Sequence, residues 1–539
     1  MSSRPAPRHR TSGGGTIATP GSATRRPPRA VAWLPLLFVT GLALVTLTPR
    51  VQSSVVVTRS IWAAVAGLLL WHVVLLASRR GRSTLSLTPA SPRAQHYVQG
   101  CCQLAVYAYW GWYWPPVYQF VWLIVAQLLF AYAFDVLLSW TRRGTYALGF
   151  GPLPIILSTN LFLWFRDDWF YLQFVLIGVG VMGKELVRWD RDGRSSHVFN
   201  PSAFSLGLFS LLLILTGTTH LTWGPEIAST LGLGPHIYVV LFGVGLVVMY
   251  FFSVTLVTMS AAAVLFGLSA LYFARTGVPY FVDSEIPSAV FLGLHLLVTD
   301  PSTSPRTPFG KLIFGVLYGG SVFGLYSLLG AVGVPTFYDK LLCVPVLNLL
   351  VPWIDRTTAA FSSSQLLRQV GLAPPLGRAN VPHMAVWVLL FGSMTLVGGT
   401  DGRHTGDQLP FWQQACALGR PSACNRLLQI ETSYCADNSG WACNEVGRHY
   451  VEGTIVARDV DAALGYYSRG CEVRFQPACV NLLDAGFTAR SDPRALDLRL
   501  LLREGGPNLI AMPESELYAR ACDHGWTFAC APPAPVASR

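Results

Sequence analysis

Three kinds of residue in this sequence are able to do chemistry. Eight of the eleven cysteines form four pairs of one spacing: Cys416/Cys424, Cys435/Cys443, Cys471/Cys479 and Cys522/Cys530. Asp135, His72 and His295 are ionisable groups inside apolar runs, where a charge is expensive and tends to be functional. Two segments, 183–212 and 294–320, interrupt apolar sequence with Asn-Pro, Asp-Pro and Thr-Pro. Backbone breaks at membrane depth are tolerated only where protein or a water-filled cavity surrounds them. The freed groups and half-helix ends then become ligands for anions or cofactors, and a pair of breaks points to a shared polar pocket.

Each feature also has a plainer reading. Asp135 suits a bound cation or a proton relay, and equally a neutral or capped side chain facing the bundle interior. His72 and His295 read as hydrogen-bonded packing residues. Asp300 reads as the cap of a broken helix first and as a ligand second. Lys184 suits a phosphate, and also an ordinary cytoplasmic flank. Regular cysteine pairing in a small polar region suits an oxidising compartment and disulfides. The alternative is metal, but C-x7-C is not a usual zinc spacing and no His recurs with it, so no metal site is expected. Haem and iron–sulfur motifs such as C-x-x-C and C-x-x-C-H are absent. No G-x-G-x-x-G follows a predicted strand. Electron transfer would therefore rest on some other cofactor, since few side chains move electrons.

The elements that hold these residues are mostly membrane helices. Hydrophobic residues make up 52% of the chain and charged residues 12%, about half the charged share of a soluble domain. Residues 1–30 are polar and rich in Arg, Pro, Gly and Ser, which reads as a disordered cytoplasmic tail. From 31 to 399 the chain holds about thirteen apolar runs of roughly membrane-spanning length. They lie near 31–48, 60–78, 97–114, 118–140, 145–165, 169–187, 199–217, 236–252, 254–274, 286–299, 311–331, 337–353 and 382–399. The eighth and ninth could be fused or re-entrant. The formal charge of +11 would suggest nucleic acid in a soluble protein. Here the basic residues flank apolar runs, so no nucleic acid is expected. Arg79, Arg80, Arg82, Arg93, Arg142, Arg143, Lys184, Arg188, Arg306, Lys311, Arg368 and Arg378 fall on one side if the N-terminus is cytoplasmic. Arg50, Arg59, Arg166, Arg275 and Lys340 are exceptions. An odd number of spans puts residues 400–539 outside a bacterial inner membrane, the side that the cysteines also favour. The Trp- and Tyr-rich stretch 107–118 reads as an interfacial belt.

The broken segments resemble the RnfD/NqrB family of membrane electron-transport subunits, including its divergent UnbU-like branch. Gly183 and Lys184, then Phe199, Asn200, Pro201 and Ala203, match the family's first motif. Thr299, Asp300, Pro301, Pro305, Thr307, Pro308, Gly310 and Gly315 match its second. Asp135 stands where the family often has Glu. The resemblance covers about 117–330. It implies flavin, as FMN or riboflavin, with Thr230, Ser229, Lys184, Asn200, Asp300, Thr303 and Thr307 as cofactor-binding candidates. Asp135 would serve an ion or proton path. In RnfD and NqrB the flavin is esterified to a Thr on the outer face, in a motif of the form Asp-x-x-Ser-Gly-Ala-Thr. The best match here, Glu226 to Thr230, lacks the Asp and the Ser-Gly-Ala.

Residues 411–531 resemble cysteine-rich Sel1-like repeats. Cys435 and Cys471 are 36 residues apart, as are Cys443 and Cys479, the length of a helix-pair repeat. Gly447 permits close helix packing, Tyr450 fills the interface, Gly453 ends a helix and Asp459 caps the next. The family implies that each bridge staples one helical hairpin, and that the repeats bind protein partners. The interval from Cys471 to Cys522 is 15 residues longer than a repeat and implies an insertion.

The expected fold is all-α: a polytopic bundle with a small helix-pair solenoid. The leading functional expectation is a flavin-dependent membrane subunit that passes electrons across the bilayer, with ion transport coupled to it. It would work with other subunits of a redox complex. The alternatives are a redox-inactive anchor that presents its repeats, and a small-molecule transporter.

Overall fold

The computed structural model describes residues 29–78, 85–89, 94–191, 194–232, 234, 236–282, 284–362, 380–398, 400, 404–436, 438–484, 486–490, 513–523 and 525–531. Nearly all of the expected tail, the basic loops holding Arg79 to Arg93 and Arg368 to Arg378, and the expected insertion lie outside these residues.

The molecule is an all-α bundle of membrane type. Its helices are α1 (Leu34–Val45), α2 (Val55–Ala77), α3 (Ala94–Tyr113), α4 (Val121–Arg143), α5 (Pro152–Asn160), α6 (Tyr171–Leu186) and α7 (Pro201–Leu215). They are followed by α8 (Gly224–Leu231), α9 (Ile237–Phe252), α10 (Thr255–Thr276), α11 (Ser288–Leu296), α12 (Pro308–Ala331), α13 (Asp339–Ser362) and α14 (Asn380–Leu396). Among the described residues, five helical segments are long and apolar enough to cross a membrane: α2, α4, α10, α12 and Thr336–Ala359. Leu70, Leu215, Leu389 and Leu396 project outward from the bundle, as lipid-facing residues do. Small residues draw helices together. A Cβ on Gly319 would lie 2.7 Å from the Ala261 carbonyl oxygen, and one on Gly315 would overlap Ser260 and the Val257 carbonyl, so α12 seats closely on α10.

Several expected spans take a different form. The run 145–165 is not one helix. Strand β2 (Thr145–Leu148) pairs in parallel with β1 (Ser86–Pro89), nine-residue α5 follows, and the chain then leaves helical geometry. Pro152 and Pro154 sit in the first turn, where proline is tolerated. The run 286–299 is likewise a nine-residue helix, α11, about 14 Å long and half a span. The eighth and ninth spans are separate helices, parted at Ser253, whose φ of 55° ends α9. Between α6 and α7 the chain forms a hairpin of β3 (Arg188–Arg191) and β4 (Arg194–His197).

After α14 come α15 (Leu409–Ala417), α16 (Ala423–Ala436), α17 (Gly440–Glu452), α18 (Val460–Glu472), α19 (Gln476–Leu483) and α20 (Glu514–Asp523). All four expected disulfides form: Cys416–Cys424, Cys435–Cys443, Cys471–Cys479 and Cys522–Cys530. The first three join the end of one helix to the start of the next, and the fourth joins the end of α20 to the last residue of the short helical turn Thr527–Cys530. A Cβ on Gly447 would lie 2.6 Å from the Tyr467 ring. Tyr450 stacks on Tyr466, Gly453 ends α17 at φ 67°, and the Asp459 side chain accepts from Ala462 N.

These helices dock on the loop between α10 and α11. Arg420 donates to the Gly277 carbonyl at 2.7 Å, and Arg426 to that of Tyr280 at 3.2 Å. Arg426 also lies over the Tyr326 ring, and Val278 joins the apolar cluster of Leu409 and Trp412. Glu285 takes hydrogen bonds from Ser269 at 2.6 Å and His404 at 3.4 Å. Burial pushes the Glu285 carboxyl up, but the bonds from His404 and Ser269 outweigh it and hold the carboxyl below its ordinary value of 4.5. A depressed carboxyl stabilises the folded state above its unfolded value and loses that contribution as pH falls through the folded one. We expect Glu285→Gln to remove this acid dependence and to speed protease cleavage between α14 and α15. Unchanged cleavage from neutral to acid pH in both proteins would show that this contact does not hold the dock.

Candidate functional site

The two proline-broken segments meet. Asn200 is the N-cap of α7, its side-chain oxygen accepting from Ser202 N and Ala203 N. Its amide nitrogen donates to the Leu297 carbonyl at 2.9 Å. Asn348 of α13 bridges the pair: its oxygen accepts from Asn200 N at 3.2 Å and its nitrogen donates to the Thr303 carbonyl at 3.3 Å. His197, at the end of β4, contacts Asp300 at 3.2 Å. Asp300 also accepts from Ser302 N at 2.8 Å, the turn that carboxylates favour locally. Thr258 of α10 donates to the Leu294 carbonyl at 2.7 Å, and Thr299 to that of His295 at 2.8 Å.

The carbonyls freed by the break are thus bonded to protein side chains, the condition for irregular backbone inside a bilayer. Polar groups of the two segments bond to each other and to α13 at this junction. Thr303 donates to the Asp300 carbonyl at 3.4 Å. Thr307 caps α12, accepting from Gly310 N at 2.9 Å. The motif glycines have packing reasons too, since a Cβ on Gly183 would lie 2.6 Å from the Phe204 ring.

Lys184 and Asp135 line one small cavity with Ala131, Pro152, Ile155 and Val181, of about 10 Å³, room for roughly one water. Asp135 is half-buried. His295 is fully buried beside Phe291 and Trp387. Its Nδ1 contacts the Phe291 carbonyl at 2.7 Å, and its Nε2 has no partner. Both ring nitrogens of His72 are buried without partners.

Thr230 lies beyond the far end of α7, away from Asn200. It is half-buried on α8 beside exposed Ser229. Its hydroxyl donates to the Glu226 carbonyl at 2.6 Å and accepts from the Trp110 indole at 3.2 Å. Trp110 stacks on Trp114 with centroids 5.5 Å apart and also touches Trp164. Arg166 pairs with Glu226 and lies over the Trp223 ring, 4.0 Å from its centroid. Trp110 and Trp164 are buried in the core, so the partly open rings here are Trp114 and Trp223, which with the Arg166 guanidinium suit a planar, anionic cofactor such as a flavin nucleotide. The Thr230 hydroxyl is less suited to a phosphoester, because both of its hydrogen-bonding roles are taken by the protein.

A second polar centre was not legible in the sequence. Asn160, at the end of α5, donates to Gln127 of α4 at 2.7 Å. Gln173 of α6 reaches Gln127 and Asn160 at 3.2 Å each and accepts from Phe165 N at 3.1 Å. All three amides are buried. They close the end of α5 as Asn200 and Asn348 close that of α11. Amide residues inside apolar runs were the available signal.

Among known proteins, the chain is similar to a subunit of the ion-translocating oxidoreductase complex of Tolumonas auensis (strain DSM 9187 / NBRC 110442 / TA 4). The two are 39% identical over 71 residues, which is 13% of this chain and 19% of that protein's length. No family model matches the chain, and no solved structure matches it.

Proposed function

We propose that the chain is a membrane subunit of a flavin-dependent electron-transport complex, passing electrons across a bacterial inner membrane with ion transport coupled to the transfer. The observation that carries this reading is the likeness to a subunit of an ion-translocating oxidoreductase complex, together with the union of the two motif segments. The flavin would lie at the Thr230 end beside Trp114 and Trp223, with Arg166 facing its phosphate and no covalent bond. It would supply the electron carrier that this chain's side chains do not. Asn200, Asp300, Thr303 and Thr307 would hold the junction at the opposite end, and Asp135, which shares its water-sized cavity with Lys184, would serve the ion or proton path. Other subunits would deliver and remove electrons.

In this reading the N-terminus is cytoplasmic, residues 31–399 form the membrane domain, and residues 400–539 form an extracytoplasmic Sel1-like domain for a protein partner. Three basic residues that depart from the charge pattern support it. Arg50, Arg166 and Lys340 pair with Asp167, Glu226 and Asp339, so structural ion pairs account for their place. The disulfide-stapled helices that follow the bundle favour a second reading, a redox-inactive membrane anchor that presents its repeats.

An absorption spectrum of the purified protein separates the two. We expect a flavin spectrum, with the flavin released on denaturation and an intact mass equal to that of the polypeptide. Thr230→Ala should leave the flavin content unchanged. A mass excess of one flavin mononucleotide, lost in that variant, would replace the noncovalent arrangement with an ester. A colourless, folded protein would favour the anchor.

A further inference from the structure

The hairpin of α15 and α16 turns at residues 418–422, inside the loop closed by Cys416–Cys424, and this turn meets the bundle. The Tyr272 hydroxyl donates to Ser422 Oγ at 3.3 Å, and Arg420 donates to the Gly277 carbonyl at 2.7 Å. Just past the turn, the Arg426 guanidinium lies 4.7 Å from the centroid of the Tyr326 ring.

The depth of these contacts fixes where the turn sits. Tyr272 lies one helical turn before the end of α10 at Thr276, and Tyr326 somewhat more than one turn before the end of α12 at Ala331. Their Cα atoms are therefore about 6 and 7.5 Å below the helix ends. The two helices have 22 and 24 residues, lengths of about 33 and 36 Å, against a hydrocarbon core of about 30 Å. A centred helix then passes the core by only about 1.5 to 3 Å at each end. Both ends are C-terminal, where side chains lean back toward the N-terminus and so toward greater depth. The turn is thus held at the membrane boundary and does not stand above it.

The bundle surface at this level is apolar. Leu271 and Phe273 of α10, with Leu328 and Val332 at the end of α12, are exposed, as residues covered by lipid are. The turn extends that surface. Leu418 is 63% exposed, and Ala417 and Pro421 are exposed beside it. One exposed leucine is ordinary on a surface that faces water. A leucine fixed at the level of lipid-facing helix ends has the bilayer as its neighbour instead. Arg275, exposed at the same end, offers a cation to lipid phosphates.

We propose that residues 417–421 form a lipid-contacting wedge. Leu418 and Pro421 enter the interfacial layer of the adjacent leaflet, so the stapled helices rest on the bilayer as well as on the bundle. This inference does not depend on electron transport or on which compartment the stapled helices occupy.

The test uses the full-length, oxidised protein in nanodiscs that contain a phosphatidylcholine with a photoactivatable diazirine on its acyl chain. Peptide mass spectrometry locates the adducts after irradiation. We expect adducts on 417–421 as well as on 271–273, and only background on Leu483, which is 88% exposed in the same stapled region. Leu418→Asp, at a position too exposed to disturb the hairpin, should remove the adducts from the turn. It should also speed protease cleavage between α14 and α15 by about fivefold, as loss of roughly half of a leucine's burial does. Leu483→Asp should leave that cleavage unchanged. Adducts on 417–421 no more frequent than on Leu483 would overturn the proposal. The same result in a protein that is dimeric by mass in the nanodisc would assign the turn to a second copy of the chain. Parental cleavage of Leu418→Asp would equally refute a wedge that secures the dock.

Discussion

Reducing the four disulfides is expected to unfold the helices after residue 400 while leaving the membrane-type bundle intact. Each bridge closes a short loop, with a sequence separation of 8. The chain-entropy argument assigns each such loop about 2.5 kcal/mol. The loops do not overlap, so in that model their contributions add to about 10 kcal/mol, the whole stability of an ordinary small domain. The apolar material left behind is modest. Among the described residues, one cluster gathers Trp412, Tyr434 and Trp441, and a second has Ala463, Tyr467 and Ala478 as its fully buried apolar members. The bundle has no disulfide among its described residues; its cysteines, Cys101, Cys102 and Cys343, are free. Limited proteolysis with and without a phosphine reductant reads the result. Rapid loss of 400–539 with retention of a membrane-protected remainder is expected, and unchanged resistance of 400–539 would refute the stapling argument. Replacing only Cys471 and Cys479 should loosen α18 and α19 first, because their apolar cluster is the smaller.

The sequence displayed some of this design and hid the rest for identifiable reasons. The disulfides were legible because four pairs share one spacing and need no knowledge of distant contacts. The long helices were legible because a run of twenty apolar residues has few other destinations. Half-helices α5 and α11 were not, since periodicity does not distinguish nine helical residues plus an extended segment from a full span. The motif residues were legible as a set, but their closure was not. Asn348 sits in an apolar run far along the chain, and nothing near it announces that it reaches both Asn200 and Thr303. His197 was passed over as part of a polar connection, although the β3–β4 hairpin carries it to Asp300. The buried Gln127, Asn160 and Gln173 were missed because each amide alone reads as an incidental polar residue. Only the fold shows that the three satisfy one another and the Phe165 amide.

Replacing Asn200 should destabilise the bundle strongly, and comparing two replacements separates its two roles. Asn200→Ala removes the cap of α7, worth about 1 kcal/mol. It also leaves the buried Leu297 carbonyl without its side-chain donor, at a cost of about 1–3 kcal/mol. A loss near 3 kcal/mol in total follows if the two are independent. Asn200→Asp keeps the cap, because the oxygen that accepts from Ser202 N and Ala203 N remains, and a negative charge suits a helix N-terminus. It replaces the donor to Leu297 with a second oxygen, facing the carbonyl across 2.9 Å. If α7 needs only a cap, Asp should behave like the parent. If the junction between the two motif segments needs the bridge, Asp should be at least as damaging as Ala, since repulsion is added to a lost bond. We expect the second outcome, read as the shift in thermal unfolding of the detergent-solubilised protein. Retention of the parent's melting temperature by Asn200→Asp would mean that the amide bridge contributes little. Any bound flavin gives a further readout in the same samples. A cofactor held at the Thr230 end should survive either substitution until the bundle melts, whereas one held at the junction should be lost from both variants before unfolding.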